Sequence, residues 1–349
     1  MAIVAEQFDH VVGVDTHARS HTYCIVRCRT GAVVDAATFP TSKTGLARAM
    51  NWVQDRAGGE LLAAVEGTSS YGTSVTAMLT ELGVEVAEVR PATKATQATT
   101  GKSDTIDAEA AARDVLGKEV ARLARPRRPG DRGALRVLLA ARLLMDQQRT
   151  ANRNALNALI RTTELGVDAR RPLTNAQVRT IATWRIGRHE ASTPAGVARR
   201  EARRLATTVL EQTRLLADNH RQLDELVNET APGLQDRPGL GPVTAAIIIC
   251  AYSHKGRVRS EAAFAALGGV APLPASSGNT TRHRLSRSGD RQLNRALDII
   301  VRTRMSRDPQ TKAYVARRRS EGRTNREIRR CLKRYVARTI YRHLEASMA

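Results

Sequence analysis

Apolar and polar positions near the N-terminus follow the pattern of strands and helices packed in layers. Apolar runs of strand length predict five strands, at residues 11–14, 21–29, 32–39, 61–66 and 84–89. Apolar residues at helical spacing predict helices at 44–56 and 75–82. This order of elements predicts an α/β layer fold with a mixed sheet and right-handed crossovers. Ligands of such sheets collect at the carboxyl ends of the strands.

The pattern becomes helical after a stretch rich in Pro, Gly and Arg at 125–132, which predicts a boundary. Small and apolar residues then recur at alternating steps of three and four, as in a coiled-coil seam. The first seam consists of Ala134, Val137, Ala141, Leu144, Gln148, Ala151, Ala155 and Ala158. The second consists of Ala202, Ala206, Val209, Thr213, Leu216, His220, Leu223 and Val227. Two such helices suit an antiparallel hairpin or an intermolecular coiled coil.

A second cluster of Pro and Gly at 231–242 precedes the C-terminal part of the chain. Residues 237–245 resemble the turn of a helix-hairpin-helix, in which backbone amides at the start of the next helix hold a phosphate. This interpretation makes Gly239, Gly241 and Thr244 candidate nucleic-acid contacts, and an ordinary turn before an apolar helix explains them equally well. Further helices are predicted at 243–252, 260–267 and 290–305. The predicted fold class is therefore α/β plus α.

The charge balance favours a polyanionic partner. The chain has 56 Lys and Arg against 34 Asp and Glu, a formal charge of +22, which promotes binding to nucleic acid through counterion release. Aromatic residues make up only 3% of the chain, so base stacking is excluded as the main contact and arginine must supply it. The candidate phosphate contacts are Arg282, Arg284, Arg287, Arg318 and Arg330. A flexible polar loop and a solvated basic face are the alternatives for these positions.

Neither a membrane nor a zinc framework is expected. No apolar stretch approaches the roughly 20 residues that span a bilayer, and the N-terminal residues lack a signal-peptide pattern, so we expect a cytoplasmic protein. His17, His21, Cys24 and Cys28 lie close in sequence, but no second pair of zinc ligands follows them. We interpret the two cysteines as buried structural residues.

Four acidic residues are candidates for a metal site. Asp15 and Glu66 each end an apolar strand, whereas Asp104 and Asp107 begin an Ala-rich helix and lie three positions apart on one face. Taken alone, the helical pair is better explained as capping residues that interact with the helix dipole. Together, the four acids suit two divalent cations, and oxygen ligands favour Mg²⁺ or Mn²⁺. The sequence thus predicts a metal-dependent, nuclease-like domain joined to a basic helical domain.

Five motifs occur in the order seen in one protein family. They are Val-Gly-Val-Asp15-Thr-His, Val-Glu66-Gly-Thr-Ser-Ser-Tyr-Gly, Lys-Ser-Asp104-Thr-Ile-Asp107-Ala, Pro-Gly-Leu-Gly-Pro-Val-Thr-Ala, and Ser276-Ser277-Gly278 with Ser286-Arg287-Ser288-Gly289-Asp290. In this order they extend over nearly the whole chain, which resembles the IS110-type DEDD transposases of bacterial insertion sequences. That family includes the Piv DNA invertase and the bridge-RNA-guided serine recombinases.

The resemblance implies three domains. Residues 1–125 would form a RuvC-like, RNase H-type metal-binding domain, 126–232 a coiled-coil region, and 233–349 a helical transposase domain that carries a catalytic serine. It also implies a bacterial, nucleoid-associated protein that acts as a homo-oligomer, a dimer or a tetramer, on DNA.

The resemblance further implies the chemistry. Asp15, Glu66, Asp104 and Asp107 would bind Mg²⁺, and Ser277 would attack DNA to form a covalent phosphoserine intermediate. Ser276 stands where relatives carry another residue. The element would be excised and integrated by strand exchange, with donor and target selected by a structured bridge RNA, which would suit a protein that holds backbone and shape while RNA reads sequence.

Two other functions use the same residues. A hydrolytic nuclease or Holliday-junction resolvase would need the four acids and water alone, and it would cleave DNA without a protein adduct. A non-enzymatic nucleic-acid-binding protein would need none of the acids. It leaves unexplained why carboxylates that oppose DNA binding end two strands of so basic a chain.

Overall fold

The computed structural model describes residues 2–91, 103–127, 130–187, 192–274, 283–284 and 289–348. The chain divides into two compact units, Met1–Arg128 and Pro129–Ala349. Each unit is described by itself below. The predicted division into three domains stays a prediction.

A five-stranded mixed sheet forms the centre of the N-terminal unit. Its strands are β1 (His10–Thr16), β2 (Ser20–Arg27), β3 (Val33–Pro40), β4 (Leu61–Glu66) and β5 (Glu85–Val89), in the spatial order β3-β2-β1-β4-β5. β1, β2 and β3 form an antiparallel meander, whereas β4 runs parallel to β1 and β5 parallel to β4. The predicted α/β layer fold with a mixed sheet is therefore confirmed.

Helices cover both faces of this sheet. They are α1 (Val4–Gln7), α2 (Lys43–Arg56), α3 (Thr73–Glu81) and α4 (Asp104–Leu116), followed by a 3₁₀ turn at Val120–Arg122. Successive strand residues point to opposite faces, so Val12 packs with α2 and α3, whereas Val11 packs with α4. Cys24 and Cys28 are buried and unpaired by disulfide, which confirms their structural interpretation.

Gly13 allows α4 to pack directly on β1. A Cβ atom at this position would lie 2.0 Å from the carbonyl oxygen of Ala108 and 2.6 Å from the amide nitrogen of Ala112. Only a residue without a side chain is compatible with that approach. The glycine thereby places the first turn of α4 beside the end of β1.

The described part of the C-terminal unit is helical apart from one short strand pair. Its helices are α5 (Asp131–Thr162), α6 (Asn175–Ala182), α7 (Pro194–Thr230), α8 (Pro242–Tyr252), α9 (Glu261–Leu267), α10 (Arg291–Arg307), α11 (Pro309–Ser320) and α12 (Asn325–Ser347). The strands β6 (Leu273–Pro274) and β7 (His283–Arg284) pair antiparallel. One core is formed by α6, the C-terminal half of α5 and the N-terminal half of α7. A larger core is formed by the five helices α8, α9, α10, α11 and α12 together with the N-terminal end of α5 and the C-terminal end of α7.

The helices α5 and α7 pack side by side in opposite directions. Leu156 of α5 shares a core with Ala202 of α7, whereas Leu135 of α5 shares the other core with Val227. Between these cores the Asn219 side-chain amide donates to the carbonyl oxygen of Leu138 at 3.0 Å. The antiparallel hairpin is thus observed, and coiled-coil geometry stays a prediction.

Most positions of the predicted α7 seam are buried, whereas the predicted α5 seam is not buried within the unit, and its role in an intermolecular coiled coil stays a prediction. Six of the α7 positions are buried, whereas Thr213 and His220 are exposed and Asn219 is the buried polar residue instead. In α5 all eight predicted positions are exposed, including Val137 (65%) and Leu144 (55%), and Leu135, Leu156 and Ile160 are buried. Burying leucine removes more apolar area from water than burying alanine, so a neighbouring face with larger side chains forms the interface.

Among the described residues, no helix combines the length and apolar character needed to cross a lipid bilayer.

Candidate functional site

The ends of β1 and β4 bring two of the predicted acids together. Val14 pairs with Val65 in the parallel ladder, so the next residues, Asp15 and Glu66, are neighbours at the same edge of the sheet. The hydroxyl of Thr16 donates to the backbone carbonyl of Glu66 at 2.9 Å and ties the two strand ends together. By the alternation of strand side chains, Asp15 and Glu66 share the sheet face that α4 covers.

The first turn of α4 carries the other two acids. The N-terminal cap of this helix is Ser103, whose hydroxyl accepts a hydrogen bond from the Ile106 amide at 3.3 Å. The serine thus makes the capping hydrogen bond, and the interaction with the helix dipole still explains Asp104 and Asp107 taken alone. Both carboxylates also lie where the helix dipole favours negative charge.

His17 joins this group, and it is absent from the predicted site. Its Nε2 atom lies 3.0 Å from Oδ2 of Asp15 and 3.5 Å from Oδ1 of Asp104. One ligand atom from each of these three residues lies within 4.8 Å of the others, a spacing that suits a metal ion. The pattern Asp-x-His at the end of a strand was the available signal, because residues two apart in a strand lie on one face.

The charges of the site act on one another. Burial raises the pKa of Asp15, the charge and hydrogen bond of His17 oppose this rise, and the charges of Asp104 and Asp107 add to it. Burial also raises the pKa of Glu66, and the negative charges of Asp15 and Asp107 raise it further. The four predicted acids thus form one electrostatic group in which carboxylates repel one another.

The donor set fits a divalent cation. Carboxylate oxygens are the ligands that Mg²⁺ and Mn²⁺ prefer, and a cation between them would offset both the burial that chiefly raises the pKa of Asp15 and Glu66 and the smaller effect of the neighbouring carboxylates. Asp15 has only 6% of its surface exposed, while Asp104 is open to solvent. The site therefore combines a buried anchoring carboxylate with an accessible side.

The predicted phosphate-binding turn forms a compact structure in the C-terminal unit. Gly239 has a φ of +82°, and a Cβ there would lie 2.9 Å from the carbonyl oxygen of Ile300. The hydroxyl of Thr244 accepts from the Gly241 amide at 3.1 Å and donates to the Gly241 carbonyl at 3.0 Å. Thr244 is buried and stabilises the start of α8. The contact of these three residues with a phosphate stays a prediction.

The basic C-terminal helices are partly neutralised by acidic partners. Glu261 accepts from Arg334 at 3.2 Å and from Arg338 at 3.0 Å, and Arg342 lies 3.7 Å away. These arginines therefore stabilise the packing of α12 against α9. Asp298 similarly binds Arg329 and Lys333 between α10 and α12.

The structure describes only some of the remaining candidate residues, which are the arginines and the two serines. Arg318 is paired with Glu321 on α11, and Arg330 of α12 is exposed. For Arg284 the structure describes only the backbone, in β7. Ser276 and Ser277 lie outside the described residues, as do Arg282 and Arg287.

Comparison with known proteins extends over both units. Residues 12–164 match the model of the DEDD transposase family of IS110, described as "Transposase". Residues 231–316 match the model described as "Transposase IS116/IS110/IS902 family". The first match contains the four acids and His17, and the second contains Ser277 and the turn at Gly239.

A relative from Streptomyces coelicolor is described as "Insertion element IS110 uncharacterized 43.6 kDa protein". It is 32% identical over 120 residues, which cover 34% of this chain and 29% of the relative. The matched segment thus spans less than a third of the relative's length. The two family matches and this relative agree, and the chain belongs to the IS110-type family of DEDD transposases.

Proposed function

We propose that the protein is a DNA transposase that excises and integrates an insertion sequence by strand exchange, with Mg²⁺ assistance and a serine nucleophile. The observation that carries this proposal is the convergence of Asp15, Glu66, Asp104 and Asp107 at one edge of the sheet. Membership of the family supports the reaction class.

The four acids would hold two divalent cations, Mg²⁺ or Mn²⁺. Such cations orient an attacking oxygen and stabilise a leaving oxygen during phosphoryl transfer. The protein's own contribution is to hold several carboxylates together in a partly buried place, where burial first and neighbouring negative charge second raise the pKa of Asp15 and Glu66. This arrangement is costly without a cation, which supports a metal-binding role over a structural one.

Ser277 would supply the nucleophile. Its hydroxyl loses a proton as Oγ forms a bond to the phosphorus of a DNA phosphodiester, and the departing sugar oxygen leaves and takes up a proton. The phosphoserine conserves the energy of the phosphodiester, so attack by another DNA hydroxyl can restore the serine and join new strands. This step needs no water and no external energy source.

The charge of +22 supports binding of DNA and of a structured guide RNA encoded by the element. Arg282, Arg284, Arg287, Arg318 and Arg330, with the turn residues Gly239, Gly241 and Thr244, would supply the contacts. A homo-oligomer, a dimer or a tetramer, would perform the exchange. The exposed apolar side chains Val137 and Leu144 of α5 support association with a second copy, since that face is uncovered within the unit.

A suicide DNA substrate carrying the element end tests the serine assignment. The wild-type protein should form a covalent complex in Mg²⁺ that resists boiling in detergent, and Ser277→Ala should abolish it while Ser276→Ala preserves it. Both variants should retain DNA affinity. Cleavage without an adduct would instead establish the hydrolytic nuclease or resolvase function, which the acid group alone would support.

A further inference from the structure

The position of His17 is set by the turn between β1 and β2. Its backbone amide donates to the carbonyl oxygen of Ser20 at 3.1 Å, which closes the turn directly after β1. The side chain follows Asp15 on the same face of the extended chain. Local backbone structure therefore directs the imidazole towards the acids.

The imidazole lies between two carboxylates rather than against one. Its Nε2 is 3.0 Å from Asp15 and 3.5 Å from Asp104. The first distance fits a hydrogen bond, but the second is at the limit for one. Adjacent ligands of a cation with bonds of about 2.1 Å in octahedral geometry lie about 3 Å apart. The separations of His17 Nε2 from the two carboxylates are therefore close to those of neighbouring ligands of one cation, and all three donor atoms lie within 4.8 Å of one another.

The other two acids are not part of this close group. Among the described residues, only Asp15, His17 and Asp104 bring ligand atoms within 4.8 Å of one another. Asp107 acts on Asp15 through its charge, and the charges of Asp15 and Asp107 act on Glu66. Two cations in this site would consequently have different donors, one of them with a nitrogen ligand.

We propose that His17 Nε2 is a ligand of one of the two cations, together with Asp15 and Asp104, and that it makes this position selective for Mn²⁺ over Mg²⁺. The inference rests on the proposed metal-dependent function. Imidazole suits first-row transition metals, whereas Mg²⁺ prefers oxygen and gives up its water reluctantly. The second position, with carboxylate oxygens alone, retains the preference for Mg²⁺.

The site is also open enough for exchange of ligands. Half of the His17 side chain is exposed (52%), as is more than half of Asp104 (59%), whereas the Asp15 side chain is buried. A cation at this position would be bound by the buried Asp15 on one side and would be accessible to solvent on the side of His17 and Asp104. Coordination positions would therefore remain for water or for a phosphate oxygen.

Electron spin echo measurements on full-length protein with Mn²⁺ test the nitrogen ligand directly. The wild type should show the modulation of a directly bound ¹⁴N nucleus, and His17→Gln, which keeps a polar side chain, should lose it. His10→Ala is the matched control, because His10 begins the same strand, about 20 Å away. Bound Mn²⁺ without nitrogen modulation in the wild type would refute the ligand role of His17.

Competition between the two metals provides a second measurement. In His17→Gln the affinity for Mn²⁺ should fall at least about tenfold, with little change for Mg²⁺, since losses of this size accompany even weaker perturbations of a metal site. Equal losses for both metals would refute the selectivity.

The same titration separates this inference from the proposed function. Asp15→Asn should remove most Mn²⁺ binding. If the wild type binds no Mn²⁺, or if Asp15→Asn binds as well as the wild type, the metal-dependent function and the role of His17 both fail. If binding depends on Asp15 but not on His17, only the role of His17 fails.

Discussion

The strand ends of the N-terminal unit and the basic helices of the C-terminal unit differ in how their charged side chains are paired. At the strand ends like charges lie together, whereas on the basic helices opposite charges form ion pairs. At the sheet edge, burial raises the pKa of Asp15 and that of Glu66, and the charges of neighbouring carboxylates raise both further. On α12, Arg334 and Arg338 share Glu261 as a partner. The net charge of +22 is therefore a weaker indication of function than the positions at which side chains of like charge lie close together. Repulsion maintained by the fold indicates a site that awaits a ligand of opposite charge.

The close packing of α4 on β1 creates the acidic group, so its loss should give the largest effect. Gly13→Ala would place a Cβ atom 2.0 Å from the Ala108 carbonyl oxygen and displace the helix. We expect a loss of about 3 kcal/mol or more in the free energy of unfolding, and loss of metal binding. Chemical denaturation and Mn²⁺ titration measure the two effects.

Gly58→Ala is the control for this substitution, because nothing lies within 4 Å of a Cβ atom there. It should leave stability and metal binding close to the wild-type values. Unchanged metal binding in Gly13→Ala would contradict the role of this glycine in positioning Asp104 and Asp107.

Removal of one repelling carboxylate should stabilise the metal-free protein while it weakens metal binding. Asp15→Asn eliminates a buried charge and keeps an oxygen that accepts from His17. We expect the Tm in chelator to rise by roughly 3 °C, about the shift that 1 kcal/mol produces in a domain of this size. Calorimetry measures it, with the exposed Asp55→Asn as control. A lower Tm would show that the carboxylates are structural.

Neutralising Glu261 in the C-terminal unit should lower stability, whereas neutralising Asp15 should raise it. Glu261→Gln leaves three arginines without their shared anion, so we expect a loss of about 1 kcal/mol in stability. Non-specific DNA binding should strengthen and depend more steeply on salt, because the freed guanidiniums gain phosphate contacts. Denaturation and salt-dependent binding assays measure both effects. Glu321→Gln, which breaks an exposed pair on α11, should change stability by less than about 0.5 kcal/mol.

The smallest expected effect is a pH dependence. The pKa of Asp15 and that of Glu66 are raised in the folded state, so the folded protein binds protons more readily than the unfolded chain. The unfavourable contribution of these two carboxylates to the stability of the metal-free protein should therefore decrease as the pH falls from neutral through their raised pKa values. The difference in Tm between Asp15→Asn and the wild type should narrow over the same range. A difference that stays constant from pH 7 to about pH 4 would contradict the assignment.

Much of the N-terminal unit was predictable because its signals are local. Apolar runs of strand length predict β1 to β3, and Asp104 begins α4 as its sequence suggests. The face of α5 that is buried within the unit could not be predicted, because the heptad spacing of alanines marks another face, and only packing shows that Leu135 and Leu156 are buried. The larger side chains therefore determine which face of α5 is buried.

Pairings between distant residues were beyond sequence reasoning. Glu261 meets Arg334 and Arg338 only after α9 and α12 pack together, so the sequence of the tail does not show that these positive charges have acidic partners. His17 was missed for a different reason, since it was considered only beside Cys24 and Cys28 as a zinc ligand. Its proximity to Asp104 depends on the approach of α4 to β1 at Gly13.

The central claim is that the carboxylates at the sheet edge serve a serine-linked strand exchange. Mass spectrometry of the peptide–DNA product from a suicide substrate in Mg²⁺ tests it most directly. We predict that the wild type yields a DNA-linked peptide containing Ser277, and that Asp15→Asn binds the same DNA but reduces the adduct by about a thousandfold, as expected for the loss of several kcal/mol of metal-assisted stabilisation. An undiminished adduct in Asp15→Asn, or cleaved DNA without an adduct in the wild type, would contradict the account.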